Sequence, residues 1–181
     1  MSKLQRCPVC GGALRETYIG RCCNHCDVID KDGKPVTKHI EVMSKQQAEQ
    51  YGMAEHDEHS LVISIASRGT NKAFIVPNTK SNIEDVIWLE FNDTDSTDMV
   101  YGGIEYTHTD KIRETVLRFL ATDSVTRLIV QCEAGQSRSA GTAAAIMKFI
   151  YNDDSSIFNN QKYTPNMMCY RKVLNNLMGM V

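Results

Sequence analysis

Hydrophobic positions along the chain fall into two kinds of run. "SLVISIAS" and "DVIWLEF" are apolar stretches of strand length, rich in Val, Ile and aromatic residues. Strands buried on both faces of a parallel sheet read this way. "RLIVQ" is a third. Between and after them the period lengthens. In "TDKIRETVLRFLA", Ile112, Val116, Phe119 and Leu120 share one helical face, with Thr109 placed to cap it. "SKQQAEQYGMA" predicts a short helix with Ser44 as N-cap and Gln47 where a capping box needs it. "AGTAAAIMKFIY" predicts a buried helix from about Ser139 to Tyr151. "TPNMMCYRKVLNNLM" closes the chain, with Pro165 suited to a first helical turn. Strands alternating with helices predict an α/β fold, a mainly parallel sheet flanked by helices.

The first 38 residues follow another pattern. Five of the seven cysteines lie in "CPVCGGALRETYIGRCCNHC". Cys7 and Cys10 form one C-x2-C pair, and Cys23 and Cys26 form a second twelve residues on. Two such pairs supply four thiolates to a tetrahedral zinc, each gripping from one turn. So short a segment cannot bury enough apolar surface to hold itself, and the metal would provide its folding energy. A zinc ribbon over residues 1–38 is therefore expected. Cys22 and His25 compete as ligands, and iron competes with zinc. "DKDGKPVTKHI" reads as linker or hairpin. The boundary falls near Lys38, with one domain over residues 39–181.

Composition narrows the function classes. With 181 residues, 42% hydrophobic and 23% charged, and a net charge of −2, the profile is that of a soluble globular protein. It offers no wholesale basic surface for nucleic acid. No apolar run is long enough for a membrane span, and "MSKLQRCPVC" lacks the apolar centre of a secretion signal. A cytoplasmic, reducing setting is expected, where cysteines serve as ligands or catalytic thiols.

"CEAGQSRS", from Cys132 to Ser139, joins the last buried strand to a buried helix. In parallel sheets, ligands bind at the carboxyl ends of strands, often against a helix N-terminus. A phosphate monoester there needs converging backbone N–H groups, and Gly135 lets the loop curl to supply them. Arg138 offers a planar fork to two phosphate oxygens. A Cys132 thiolate, made more acidic by the helix terminus and a nearby cation, can attack phosphorus in line. Ser139 can stabilise that sulfur as it leaves.

"CEAGQSRS" resembles the C-x5-R-[ST] signature of cysteine-dependent protein tyrosine phosphatases, in particular their small dual-specificity-like branch. "VISIAS", "WLEFNDTD", "VLRFL", "IVQCEAGQSRSAGTAAAI" and "YTPNMMCYRKVL" look like successive blocks of small prokaryotic and phage-type members, over roughly residues 40–178. The resemblance implies Cys132 as nucleophile and Arg138 as binder of phosphate and transition state. It implies Ser139 in breakdown of the phosphocysteine, and the amides of Glu133, Ala134, Gly135, Gln136, Ser137 and Arg138 as oxygen ligands. The implied general acid is an aspartate of "FNDTDSTD". Asp93 lies nearest the strand and where short members place the acid, with Asp95 second and Asp98 third. The resemblance departs at Gln131, where many members carry a histidine that helps fix the loop and lower the thiol pKa.

The expected function is thus phosphomonoester hydrolysis on a phosphorylated protein or small molecule, with zinc structural and no catalytic cofactor. Glu133 and Gln136 stand where phosphoinositide phosphatases tend to be basic, which predicts singly phosphorylated substrates. Competing readings are a pseudophosphatase that binds phosphorylated partners and a rhodanese-like sulfurtransferase. The ribbon could recruit a protein partner; its charge is too mild to assign nucleic acid. Cys169 reads as core filling, with a redox disulfide to Cys132 the sharper alternative. His56 and His59 of "EHDEHS" have ligand-like spacing but read as a solvated loop, and His108 as surface.

Overall fold

The computed structural model describes residues 14–17, 20–23, 28–29 and 35–36, by backbone alone, and residues 38–96 and 99–180. Of the expected zinc ligands, Cys7, Cys10 and Cys26 lie outside the described residues, and Cys23 is placed only as backbone. Four short strands lead: β1 (Leu14–Thr17), β2 (Gly20–Cys23), β3 (Val28–Ile29) and β4 (Pro35–Val36). They pair antiparallel in chain order, and β3 with β4 makes the hairpin alternative of the linker reading.

The second sheet is parallel throughout. It contains β5 (His39–Ser44), β6 (His59–Ala66), β7 (Ile83–Glu90) and β8 (Val125–Cys132), in the order β5-β8-β6-β7. The three apolar runs are β6, β7 and β8. β5 was not predicted: it is an edge strand of six residues, begins with His39 and Glu41 among its members, and buries only Val42 and Met43. Too few apolar positions mark it.

Alternation along the strands gives the sheet two faces. Leu61, Ile63, Leu128, Val130 and Cys132 pack on one, under α2 (Tyr106–Ala121), α3 (Arg138–Tyr151) and α5 (Met167–Leu177). Val62, Ile129 and Met43 pack on the other, under α1 (Lys45–Met53) and the chain around Ala73 and Ile75. A single helical turn, α4 (Ser155–Phe158), precedes α5. Among the described residues, no helix is long and apolar enough to cross a membrane.

Helix ends explain most boundary differences. Ser44 caps α1, with both hydrogen bonds of the capping box to Gln47 present. α2 starts three residues before the expected cap. Its N-cap is Glu105, whose N–H donates to His108 Nδ1 at 3.0 Å. Thr109 is therefore inside the helix and buried, its hydroxyl donating to the Tyr106 carbonyl at 2.8 Å. Likewise α5 is capped by Asn166, so Pro165 precedes the cap rather than occupying the first turn. Lys38 ties the domain's start to its core. Its ammonium donates to the carbonyls of Phe119, Thr122 and Val125 at 2.7, 2.7 and 2.5 Å. Those acceptors cluster where α2 ends, as a cation at a helix C-terminus should. Burial pushes its pKa down, with Asp123 opposing.

Candidate active site

β8 delivers Cys132 to the carboxyl end of the sheet, and the chain turns through residues 133–137 into α3. The turn is possible because Gly135 has φ +68, in the region where side chains are strained. Space demands glycine too. A Cβ there would lie 2.5 Å from the Ser44 nitrogen and 2.7 Å from the Met43 carbonyl carbon, so the loop rests directly on the β5–α1 junction. Carbonyls of the loop are engaged from outside. Glu133 O accepts from Lys45 N–H, Gln136 O from Thr164 N–H, and Ser137 O from the N–H groups of Gly141 and Asn166. Three of the loop's carbonyls are thus engaged by neighbouring N–H groups.

The Cys132 thiol is buried, with Sγ 3.0 Å from the Ser139 hydroxyl oxygen. Arg138, 4% exposed, donates from Nη1 to the Phe91 carbonyl at 2.8 Å. Its Nε is buried without a hydrogen-bond partner and lies 3.8 Å from Asp93 Oδ2. A guanidinium held by one edge with a buried donor unspent is arranged to receive an anion. α3 also begins without a side-chain cap on its first N–H groups. Ser137, in the cap position, instead donates its hydroxyl to Asp93 Oδ1 at 2.8 Å.

Asp93 is thereby brought to the mouth of the loop. Its Oδ1 also accepts from Asn166 Nδ2 at 2.9 Å. Asp95 is turned elsewhere, its Oδ1 accepting from the Met168 N–H at the start of α5 at 3.4 Å. Asp98 lies outside the described residues. Asn92 closes the base of the loop that carries Asp93: its N–H donates to Gly102 O at 2.8 Å, its Nδ2 to Tyr101 O at 3.0 Å, and its Oδ1 accepts from Arg68 N–H at 3.1 Å.

Sequence reasoning missed Asn166 and the Phe91 carbonyl. The first had a legible signal, since asparagine directly before an apolar helix is a preferred N-cap. The second is a backbone atom and had none. Gln131 is buried, with Nε2 donating to Ser64 Oγ at 2.6 Å. Cys169 is buried at 1% exposure, and burial pushes its thiol far up, as befits core filling. His108 is not a surface residue: it is half-buried against Phe91, ring centres 5.2 Å apart, and burial lowers its pKa. His56 stacks on Tyr51 at 3.7 Å while His59 pairs with Glu84 at 2.6 Å, so the two do not share a ligand site. Among the described residues, no group of three or more His, Cys, Asp or Glu is arranged to hold a metal ion.

No protein-family model matches the sequence, and no curated protein matches it. Solved structures do match in shape. A point variant of human DUSP28 superposes with a TM-score of 0.51 at 12% identity, over 80% of this chain and 92% of that one. The human tyrosine phosphatase-like serine/threonine/tyrosine-interacting protein gives 0.47 at 16%, over 68% and 80%. PTPMT1 gives 0.47 at 16%, over 80% and 91%. The parallel four-stranded sheet with flanking helices is thus a tyrosine-phosphatase-like fold, and the likeness to the DUSP28 variant carries that assignment.

Proposed function

We propose that this chain hydrolyses phosphomonoesters through a phosphocysteine intermediate. One observation carries the reading: a buried thiol at a strand end, inside a loop whose Arg138 keeps a buried Nε without a hydrogen-bond partner. The phosphoryl group would sit over Cys132, its oxygens taken by the loop amides of residues 133–138 and the free edge of Arg138. The thiolate attacks phosphorus, forming the S–P bond as the P–O bond to the leaving group breaks. Asp93 gives that oxygen its proton. Water then attacks phosphorus, passing a proton to the Asp93 carboxylate. The S–P bond breaks, inorganic phosphate leaves, and the Ser139 hydroxyl, 3.0 Å from the sulfur, stabilises the returning thiolate.

Glu133 and Gln136 are exposed at the rim and bring no positive charge. This favours singly phosphorylated substrates, aryl or protein-borne, over polyphosphorylated lipids. A phosphatase assay over phosphopeptides, nucleotides and phosphoinositides tests both points. Faster turnover of a polyphosphorylated inositol lipid than of any phosphopeptide would overturn the substrate class, and no turnover of any ester would overturn the reaction. The paired C-x2-C spacing further supports one structural zinc on Cys7, Cys10, Cys23 and Cys26, with the ribbon free to recruit a protein partner. Elemental analysis of protein purified without chelator should find one zinc per chain, and a metal-free result would remove that proposal.

A further inference from the structure

We infer that Asn166 is a positioning residue that docks the acid loop onto the phosphate loop before substrate arrives. It also dictates which Asp93 oxygen carries the transferable proton. The inference rests on the phosphatase reading only for its catalytic consequence.

Asn166 is 5% exposed, and its side chain makes three hydrogen bonds to two segments. Oδ1 accepts from the Cys169 N–H at 2.8 Å, capping α5. Nδ2 donates to Asp93 Oδ1 at 2.9 Å and to the Thr94 carbonyl at 3.2 Å. The amide orientation follows from its neighbours, because only an oxygen can meet Cys169 N–H and only an NH2 can meet a carbonyl. The backbone of Asn166 is equally committed. Its N–H donates to the Ser137 carbonyl at 3.1 Å. Its own carbonyl is so close to α3 that a Cβ on Gly141 would stand 2.3 Å from it. One residue thus touches the phosphate loop, the helix that follows it, α5 and the acid loop.

The consequence for Asp93 is chemical. Two donors, Ser137 Oγ–H and Asn166 Nδ2–H, converge on Oδ1. That oxygen's lone pairs are occupied, so the proton to be transferred sits on Oδ2. Oδ2 is the oxygen that faces Arg138 Nε, at 3.8 Å, and therefore the bound ester. Misplacing a reacting group by an ångström can cost about 10²-fold, so a buried side chain that fixes both place and orientation should matter to proton transfer alone.

Capping and positioning can be separated, because serine and aspartate are good N-caps while only asparagine also supplies the amide donor. Asn166→Ser should lower kcat on phosphotyrosine or alkyl esters about tenfold or more. It should change turnover of an ester with an acidic phenol as leaving group less than about twofold, because such a group departs unprotonated. Asn166→Asp keeps the cap and sets a second carboxylate against Asp93, so its loss on the first class of ester should exceed that of serine. Millisecond hydrogen exchange over residues 92–96 should quicken in both variants, and that readout does not depend on turnover. Equal losses on both classes of ester, an aspartate variant as active as the parent, or unchanged exchange would each overturn the inference. Quickened exchange in a chain that hydrolyses nothing would support the docking and remove only the phosphatase reading.

Discussion

The Cys132 loop and the Asp93 loop, the proposed phosphate and acid loops, sit face to face and are built on opposite principles. Backbone holds the first. Gly135 lies flat on the Met43–Ser44 peptide, and the loop carbonyls are gripped by N–H groups from α1, α3 and the segment before α5. Side chains hold the second. Asn92 closes its base, and Asn166 and Ser137 fix Asp93 from across the cleft. Under the proposed reaction, a rigid cradle suits charges that do not move, and an exposed loop held by a few polar bonds can release and rebind, as a proton donor serving successive leaving groups must. The difference teaches where sequence changes will act under the proposed reaction: in the first loop on the chemistry and fold together, and at Asp93 in the second on proton transfer.

The largest break in that contrast comes from the nucleophile. Cys132→Ser should drop turnover to background while vanadate still binds, because the amides and Arg138 remain. Arg138→Ala should lose turnover and vanadate binding together. Undiminished turnover in Cys132→Ser would exclude the covalent route. Next is the acid. Asp93→Asn should slow hydrolysis of phosphotyrosine or alkyl esters by about 10²-fold or more and spare esters of acidic phenols. A similar loss on both classes would assign Asp93 a structural role and move the acid to Asp95, which would then have to leave the Met168 N–H.

Each loop also depends on a glycine with positive φ, Gly135 at +68 and Gly102 at +61. Both pay for an added Cβ with backbone strain of about 1–2 kcal/mol. Their surroundings differ. The Gly135 Cβ would strike backbone at 2.5 Å, which cannot yield without moving β5 from α1. The Gly102 Cβ would meet the Arg68 guanidinium at 2.9 Å, the far end of a flexible, half-exposed side chain. Gly135→Ala should therefore lower the melting temperature well beyond Gly102→Ala and also abolish vanadate binding. Equal destabilisation would mean that strain alone, and not the close approach, decides.

The same contrast explains what the sequence could tell. The Cys132 loop stood out in the sequence as a candidate because its parts are contiguous: strand, Cys132, Gly135, Arg138, Ser139 and helix follow one another, and each residue type has a physical reason to be there. The loop after β7 was legible only as three aspartates, and closeness to the strand together with the resemblance ranked Asp93 first. What singles it out in space comes from Ser137 and Asn166, 44 and 73 residues away. No local pattern encodes such a contact. β5 was invisible for a related reason, since its place beside β8 depends on pairing rather than on an apolar run. The proposed N-terminal metal site is the reverse case: its expectation rests on spacing alone, because its candidate ligand side chains lie outside the described residues.

The smallest effect is expected just before the nucleophile, where the resemblance looks for histidine and this chain has Gln131. Sheet register pairs Gln131 with Met43 and Ser64, and these side chains share the face under α1. Cys132, one residue on, packs on the opposite face. The amide therefore acts on the thiol only through the backbone. Its Nε2 donates to Ser64 Oγ at 2.6 Å, while its Oε1 is buried with no partner among the described residues. Gln131→Met would lose a hydrogen bond worth about 0.5–1.5 kcal/mol and relieve an orphan acceptor costing about 1–3 kcal/mol. It would also leave the buried Ser64 hydroxyl short of a donor. These terms oppose one another, so the net change should stay within about 1 kcal/mol. Adding Ser64→Ala removes the remaining polar group, and the double variant should be as stable as the parent or more so. Turnover in Gln131→Met should fall less than about threefold, because neither the thiol nor the loop amides lose a partner. A collapse of turnover at unchanged stability would show that Gln131 holds the loop from behind.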